Sequence, residues 1–205
     1  MQEVTKLLGS TVVVILSMAV WFLLPREYFL PAAFVSTSCM IAGSVANGGY
    51  RRLFSLSAGG LSLGVASAIL LYALFFAGNL AINRLHPLGI GAASENSIYG
   101  LIATPSNPLY LQFGLLAFDS VGYESFFRGV IQARMNGRLG PASPFAAAAA
   151  DACIHALTFN PLWVVTTFIA DSVWGLTYRY GGGLTSSVTS HLLWDVAIFL
   201  LFPIR

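Results

Sequence analysis

Glu124 and Arg128 stand four residues apart in an apolar stretch, Tyr-Glu-Ser-Phe-Phe-Arg at 123–128. The same interval recurs in Asp151 with His155 and in His191 with Asp195. Residues four apart on a helix share a face, so each pair can meet within its own segment. A carboxylate and two imidazoles around a water-filled cavity are the parts hydrolysis needs: a base to take a proton from water, and donors to hold an oxyanion. In the His191 and Asp195 pair, a carboxylate can fix the tautomer and direction of an imidazole. Zinc is the alternative use of Glu124, His155 and His191, which would leave one coordination position open; no His-Glu-x-x-His spacing accompanies it.

The elements that carry these pairs belong in a membrane. The 205 residues are 57% hydrophobic and only 9% charged, against about a quarter charged in soluble proteins. Long unbroken apolar runs predict an all-α, polytopic transmembrane helical bundle rather than a barrel, whose strands alternate. About seven spans are expected, at 7–24, 28–46, 59–81, 108–135, 141–159, 162–180 and 184–202. The first is read as retained, because Pro25-Arg26-Glu27 offers no cleavage site. Gly60, Gly64 and Ala68 place a small residue at every fourth position, which predicts close helix packing within the bundle. Asn136-Gly137 and Gly140-Pro141 are expected to end the fourth span and start the fifth, and the polar run 82–107 to form the longest loop, with His86 as a solvated loop residue.

An ionised side chain at the bilayer centre costs about 2.5–3.5 kcal/mol on insertion scales. Three polar pairs in the second half of the chain therefore argue for a functional site over interhelical glue. Asp119 and Asp171 are expected to line a cavity or to pair. Cys39 and Cys153 fall in apolar runs and set no disulfide framework. Cys153 and His155 are two apart and point to opposite sides of a helix, which rules out a thiol dyad there. Serine chemistry has little support, with Ser186 and Ser187 read as helix-start residues, and no Gly-Asp dipeptide marks an aspartyl type.

The net charge of +2, without a basic run, gives no ground for nucleic-acid binding. Lys and Arg are unequally shared between the two sides of a seven-span chain: Lys6, Arg51, Arg52, Arg134, Arg138 and Arg179 on the side of the N-terminus, Arg26, Arg84 and Arg205 on the other. The positive-inside rule then places the N-terminus in the cytoplasm, and a prokaryotic plasma membrane is the expected location.

Taken together, Tyr123-Glu124-Ser-Phe-Phe-Arg128-Gly129, the mid-membrane His155 and His191-Leu-Leu-Trp-Asp195 resemble the three motifs of the CPBP intramembrane proteases, which include the type II CAAX prenyl endopeptidases. Those patterns are Glu-Glu-x-x-x-Arg, Phe-x-x-x-His and His-x-x-x-Asn/Asp, and the resemblance runs from about 111 to 202. It implies N-terminal transmembrane helices and a loop over 1–107, and a catalytic core over 108–205. It also implies hydrolysis of a peptide bond in a membrane-anchored substrate, such as a CAAX-type terminus or a C-terminal sorting signal, with the lipid bilayer as its surroundings. Glu124, His155, His191, Asp195 and Arg128 take the site positions, with water activated by glutamate and histidine and an oxyanion site from the last motif. Cofactors are expected to be none, with zinc the alternative.

Two positions depart from the pattern. The first motif's leading Glu is Tyr123, and the second motif's Phe is Asp151. Either the base has moved to Glu124 or Asp151, with a water near His155, or the chain is a catalytically inactive membrane-binding partner that keeps the cavity. A proton-coupled carrier is a third reading, disfavoured by the lack of an internal repeat.

Overall fold

A computed structural model describes residues 2–49, 57–84, 108–181 and 183–204, and every described element is helical. Helices α1 (Gln2–Leu23), α2 (Phe29–Ala46) and α3 (Ala58–Asn83) form the N-terminal half. Then α4 (Leu109–Phe126) passes through a π-helical turn (Phe127–Gln132) into α5 (Ala133–Leu139) as one continuous rod. The bundle is completed by α6 (Ser143–His155), α7 (Pro161–Tyr180) and α8 (Leu184–Asp195), the last followed by a second π-helical turn (Val196–Leu201). Helices α1, α2, α3 and the segment Leu184–Leu201 are each long and apolar enough to cross a membrane. The chain is an integral membrane protein with an all-α bundle.

Local chemistry explains most of the boundaries. The Ser57 side chain caps α3 by accepting from Gly60 N at 3.0 Å, and Asn160 caps α7 by accepting from Trp163 N at 3.2 Å, with Pro161 in the first turn where its missing N–H costs nothing. Two expectations need correction here. Asn136-Gly137 does not end the fourth rod, which continues to Leu139. Asn136 is held in place because its Oδ1 accepts from Arg179 Nη1 at 3.0 Å and from Ser143 Oγ, and the rod stops instead at Gly140, whose φ of 50° suits only glycine. The fifth segment is also shorter than expected. Helix α6 has 13 residues, under the roughly 20 that a full crossing needs, and ends at His155 in a 3-10 turn, Ala156–Thr158. Residues 82 and 83, expected in the long loop, belong to α3 and Arg84 caps it; residues 85–107, His86 included, and Arg51 and Arg52 lie outside the described residues.

The small-residue stripe packs within the bundle. Gly60, Gly64, Ser67 and Ala68 are buried on α3, and Ser67 Oγ donates to Ser190 Oγ on α8 at 2.7 Å. A β-carbon at Gly64 would come 2.8 Å from the Ser186 carbonyl and 2.7 Å from Thr189 Cβ, and backbone cannot move aside cheaply. Gly64→Val is therefore expected to wedge α3 off α8 and to cost about 1–3 kcal/mol, read as a lowered melting temperature of the detergent-solubilised protein. An unchanged melting temperature would contradict this packing.

Hydrogen bonds tie one end of the bundle together. Asn47 Nδ2 donates to Ser10 Oγ at 2.9 Å, Arg134 Nη2 to Asn47 Oδ1 at 3.3 Å, Arg179 Nη1 to Asn136 Oδ1 at 3.0 Å, and Ser186 Oγ to the Thr177 carbonyl at 3.0 Å. The start of α1, the end of α2, α5, the end of α7 and the start of α8 therefore share one face. Two apolar clusters fill the rest. One gathers Leu71, Trp174, Trp194 and Phe199; the other Val14, Met18, Met40, Phe126 and Val130.

Candidate active site

Helix α4 delivers Tyr123 and Glu124 from its last turn, midway along the continuous rod, and the π-helical turn that follows carries Arg128. Turns of this kind are uncommon and recur at functional sites, because the wider ring re-aims the side chains around it. Asp195 on α8 has the same arrangement, with a π-helical turn starting at the next residue.

The three sequence pairs all form, and the fold adds partners to each. Glu124 Oε2 lies 3.4 Å from Arg128 Nε, and its Oε1 lies 2.9 Å from His191 Nδ1 on α8. Arg128 reaches on to Asp171 of α7, with Nη2 2.8 Å from Oδ1. It also donates through Nη1 to Gln132 Oε1 at 3.5 Å, and Gln132 Nε2 donates to the Gly175 carbonyl at 2.8 Å. His191 Nε2 lies 3.4 Å from Asp195 Oδ2, so each ring nitrogen of His191 faces a carboxylate. Its ring is stacked on Trp174, with centroids 3.6 Å apart and planes 12° apart, and Tyr123 meets it edge-on at 5.4 Å.

The second group lies beside the first. Asp151 Oδ2 accepts a hydrogen bond from the Tyr123 hydroxyl and sits 3.3 Å from His155 Nδ1. His155 is held between Phe22 of α1 and Trp163 of α7, at centroid distances of 4.7 and 5.8 Å. The two positions where the chain departs from the resembled motifs are thus in direct contact, a hydroxyl from α4 on a carboxylate from α6.

Glu124, Arg128, Asp151 and Asp171 are wholly buried, whereas His155, His191 and Asp195 keep 5–6% of their surface. A cavity of about 370 Å³ lies against them, with His155, His191, Asp195, Tyr123, Asp171 and Asp119 in its wall. Glu124 and Asp151 are not in that wall. The imidazoles therefore face the space a substrate would occupy, with Glu124 and Asp151 behind them and Asp195 beside His191 in the wall. The remaining lining is mainly apolar and aromatic, including Trp21, Phe29, Phe75, Trp163 and Trp174, the usual character of a pocket that holds an apolar ligand around a few polar groups.

Sequence reading placed Asp171 and Asp119 only as lining or pairing residues. Asp171 does both, as a partner of the Arg128 guanidinium, and Asp119 accepts from Thr37 Oγ1 at 2.5 Å. Trp174 was not foreseen, since nothing in an apolar run distinguishes a tryptophan that stacks on an imidazole from one that fills the core. The sequence does contain a Gly-x-Ser-x-Gly run, Gly60-Leu61-Ser62-Leu63-Gly64, but Ser62 lies exposed in α3 with its Oγ bonded to the Ala58 carbonyl at 2.9 Å. It forms no strained turn and faces no base. Ser186 and Ser187 sit in the first turn of α8, both wholly buried. Cys39 and Cys153 are free thiols, and Cys153 is exposed while His155 is buried, as residues two apart on a helix require. Among the described residues no three His, Cys, Asp or Glu side chains are arranged to hold a metal ion. The donors of the zinc alternative are divided, with Glu124 and His191 in one group and His155 with Asp151 in the other.

Neither a curated protein nor a solved structure matches the chain. A family model does, over residues 105–197, a stretch that contains α4 to α8 and every polar pair described above. That family is described as type II CAAX prenyl endopeptidase Rce1-like, and residues 105–197 of this chain are similar to it.

Proposed function

We propose that the protein is an intramembrane endopeptidase that hydrolyses a peptide bond of a membrane-anchored substrate, with water activated by His155 and Asp151. One observation carries this reading: the carboxylate absent from position 123 is replaced by Asp151, which the Tyr123 hydroxyl contacts and which lies 3.3 Å from His155 Nδ1. A carboxylate behind Nδ1 fixes the ring and leaves Nε2 to take a proton from water. The water oxygen attacks the scissile carbonyl carbon, and its proton passes to His155. His191, oriented by Glu124 at Nδ1, donates its Nε2–H to the developing oxyanion in place of the longer 3.4 Å contact with Asp195. The proton held by His155 then goes to the leaving nitrogen as the carbon–nitrogen bond breaks, giving a carboxylic acid and an amine.

Glu124 and Arg128 act in this scheme as positioning groups. Glu124 stands outside the cavity wall, so its place as the base itself is the weaker assignment. The substrate is a CAAX-type or sorting-signal segment, no cofactor is required, and the setting is a prokaryotic plasma membrane with the N-terminus cytoplasmic. A second reading, an inactive membrane-binding partner that keeps the cavity, draws on the hydroxyl at position 123, since phenol is a poor base near neutral pH.

The deciding experiment is cleavage of a panel of membrane-anchored peptides by the purified protein in detergent, with and without a chelator. Wild type is expected to cut equally well in both conditions, and His155→Ala and Glu124→Gln to fall by about 10²–10⁴-fold. Cleavage that vanishes with chelator would return the zinc reading. No cleavage of any peptide by wild type, with a biological effect intact in His155→Ala, would establish the binding partner instead.

A further inference from the structure

The cavity is built from one end of the bundle. Its outer residues come from the end of α1 (Trp21), the start of α2 (Phe29, Leu30), the end of α3 (Asn79, Ile82) and the start of α4 (Gln112). It descends from there to Asp171, Trp174 and His191 at mid-depth. Every helix end at this mouth is opposite to the hydrogen-bonded face described above, where Ser10, Asn47, Arg134 and Thr177 meet.

The basic residues divide the same way. Lys6, Arg134, Arg138 and Arg179 lie at the closed face, and Arg51 and Arg52 come shortly after Asn47 in the sequence. At the mouth stand Arg84 and, in the turn between Trp21 and Phe29, Arg26, with Arg205 following Ile204 in sequence, three against six, and the connection 85–107 contains no Lys or Arg. Basic residues near span ends are retained on the cytoplasmic side. The closed face is then cytoplasmic and the mouth is not.

We infer that the cavity opens on the extracytoplasmic side of the membrane, and that its substrate is an exported polypeptide still anchored in the bilayer. A cytoplasmic lipid-anchored terminus would have to cross the bilayer to reach His155 and His191, whereas an anchored segment emerging on the far side meets the mouth directly. The aromatic lining suits an apolar stretch of that segment, with the scissile bond drawn down to mid-depth. The substrate half of this inference rests on the endopeptidase reading; the sidedness does not.

Sidedness is measured without any cleavage. In a background with Cys39 and Cys153 replaced by alanine, single cysteines are placed at Phe159, 86% exposed in the turn between α6 and α7 at the mouth, and at Gly137, where a β-carbon meets nothing within 4 Å on the closed face. Intact spheroplasts expressing the full chain are treated with a membrane-impermeant maleimide. Phe159→Cys is expected to label in intact cells, and Gly137→Cys only after lysis, with detergent labelling of both as the control for folding. Labelling of Gly137→Cys alone, of both, or of neither in intact cells overturns the inference. Such a result would leave the endopeptidase reading standing on the cleavage assay, and a failed cleavage assay would leave the sidedness intact.

Discussion

Asp151→Asn is expected to lower kcat by about 10²–10⁴-fold, the range that a general base and its orienting acid contribute, with little change in KM. The variant keeps size, shape and an acceptor oxygen for the Tyr123 hydroxyl, so the contact between α4 and α6 survives. What it removes is the negative charge 3.3 Å from His155 Nδ1. The amide can also present its NH₂ to that nitrogen, which favours the wrong tautomer. Because Asp151 stands behind His155 and outside the cavity wall, substrate binding has no reason to weaken, and a loss confined to KM would contradict the assignment. A companion experiment exchanges the two unusual positions. Tyr123→Glu combined with Asp151→Phe returns the carboxylate to α4 and an aromatic ring to α6, and it is expected to cut better than Asp151→Phe alone. Wild-type cleavage by Asp151→Asn would sink the proposed base, and Glu124 would take its place.

The largest effect on the folded state is expected from Arg128. It is the bulkiest side chain among the described residues with essentially no exposure, and it holds Asp171 at 2.8 Å and Glu124 at 3.4 Å. Arg128→Met fills much of the same volume but leaves two buried carboxylates with no cation. Breaking a buried ion pair by removing one partner costs about 3–5 kcal/mol, a large part of the roughly 5–15 kcal/mol that holds a domain together. The protein should aggregate on extraction, or its melting temperature should fall by about ten degrees or more. Arg128→Met with Glu124→Gln and Asp171→Asn removes all three charges. That variant is expected to recover the fold while remaining inactive, because Glu124 no longer orients His191 as a carboxylate. A stable, monodisperse Arg128→Met single variant would show that the guanidinium does not balance these acids.

Asp171 and Trp174 have no roles in the resembled motifs, yet both touch the motif residues. Asp171 keeps Arg128 from resting on Glu124 alone, and Trp174 stacks on the plane of His191, which Tyr123 also meets edge-on. Their positions tie α7 to the site although none of its residues belongs to a motif. The first half of the chain is bound in similarly, through Phe22 against His155 and Thr37 on Asp119.

By itself the sequence determined that the chain is a helical membrane protein and which residues within a helix could pair, because apolar length and the 3.6-residue repeat are properties of a single segment. Glu124 with Arg128, Asp151 with His155 and His191 with Asp195 follow from that repeat alone, and all three are present. Only the tertiary structure decided who meets whom between helices. The bond from Glu124 to His191 spans 67 positions, and neither it nor the contacts of Arg128 with Asp171 and of Tyr123 with Asp151 has a spacing signature. Each depends on how far α4, α6, α7 and α8 are rotated about their own axes and how closely they approach. Those quantities are set by features such as the close contact at Gly64, the π-helical turn at Phe127–Gln132 and the stop at Gly140. They act in three dimensions on residues far apart in the chain, and a one-dimensional pattern carries no record of them.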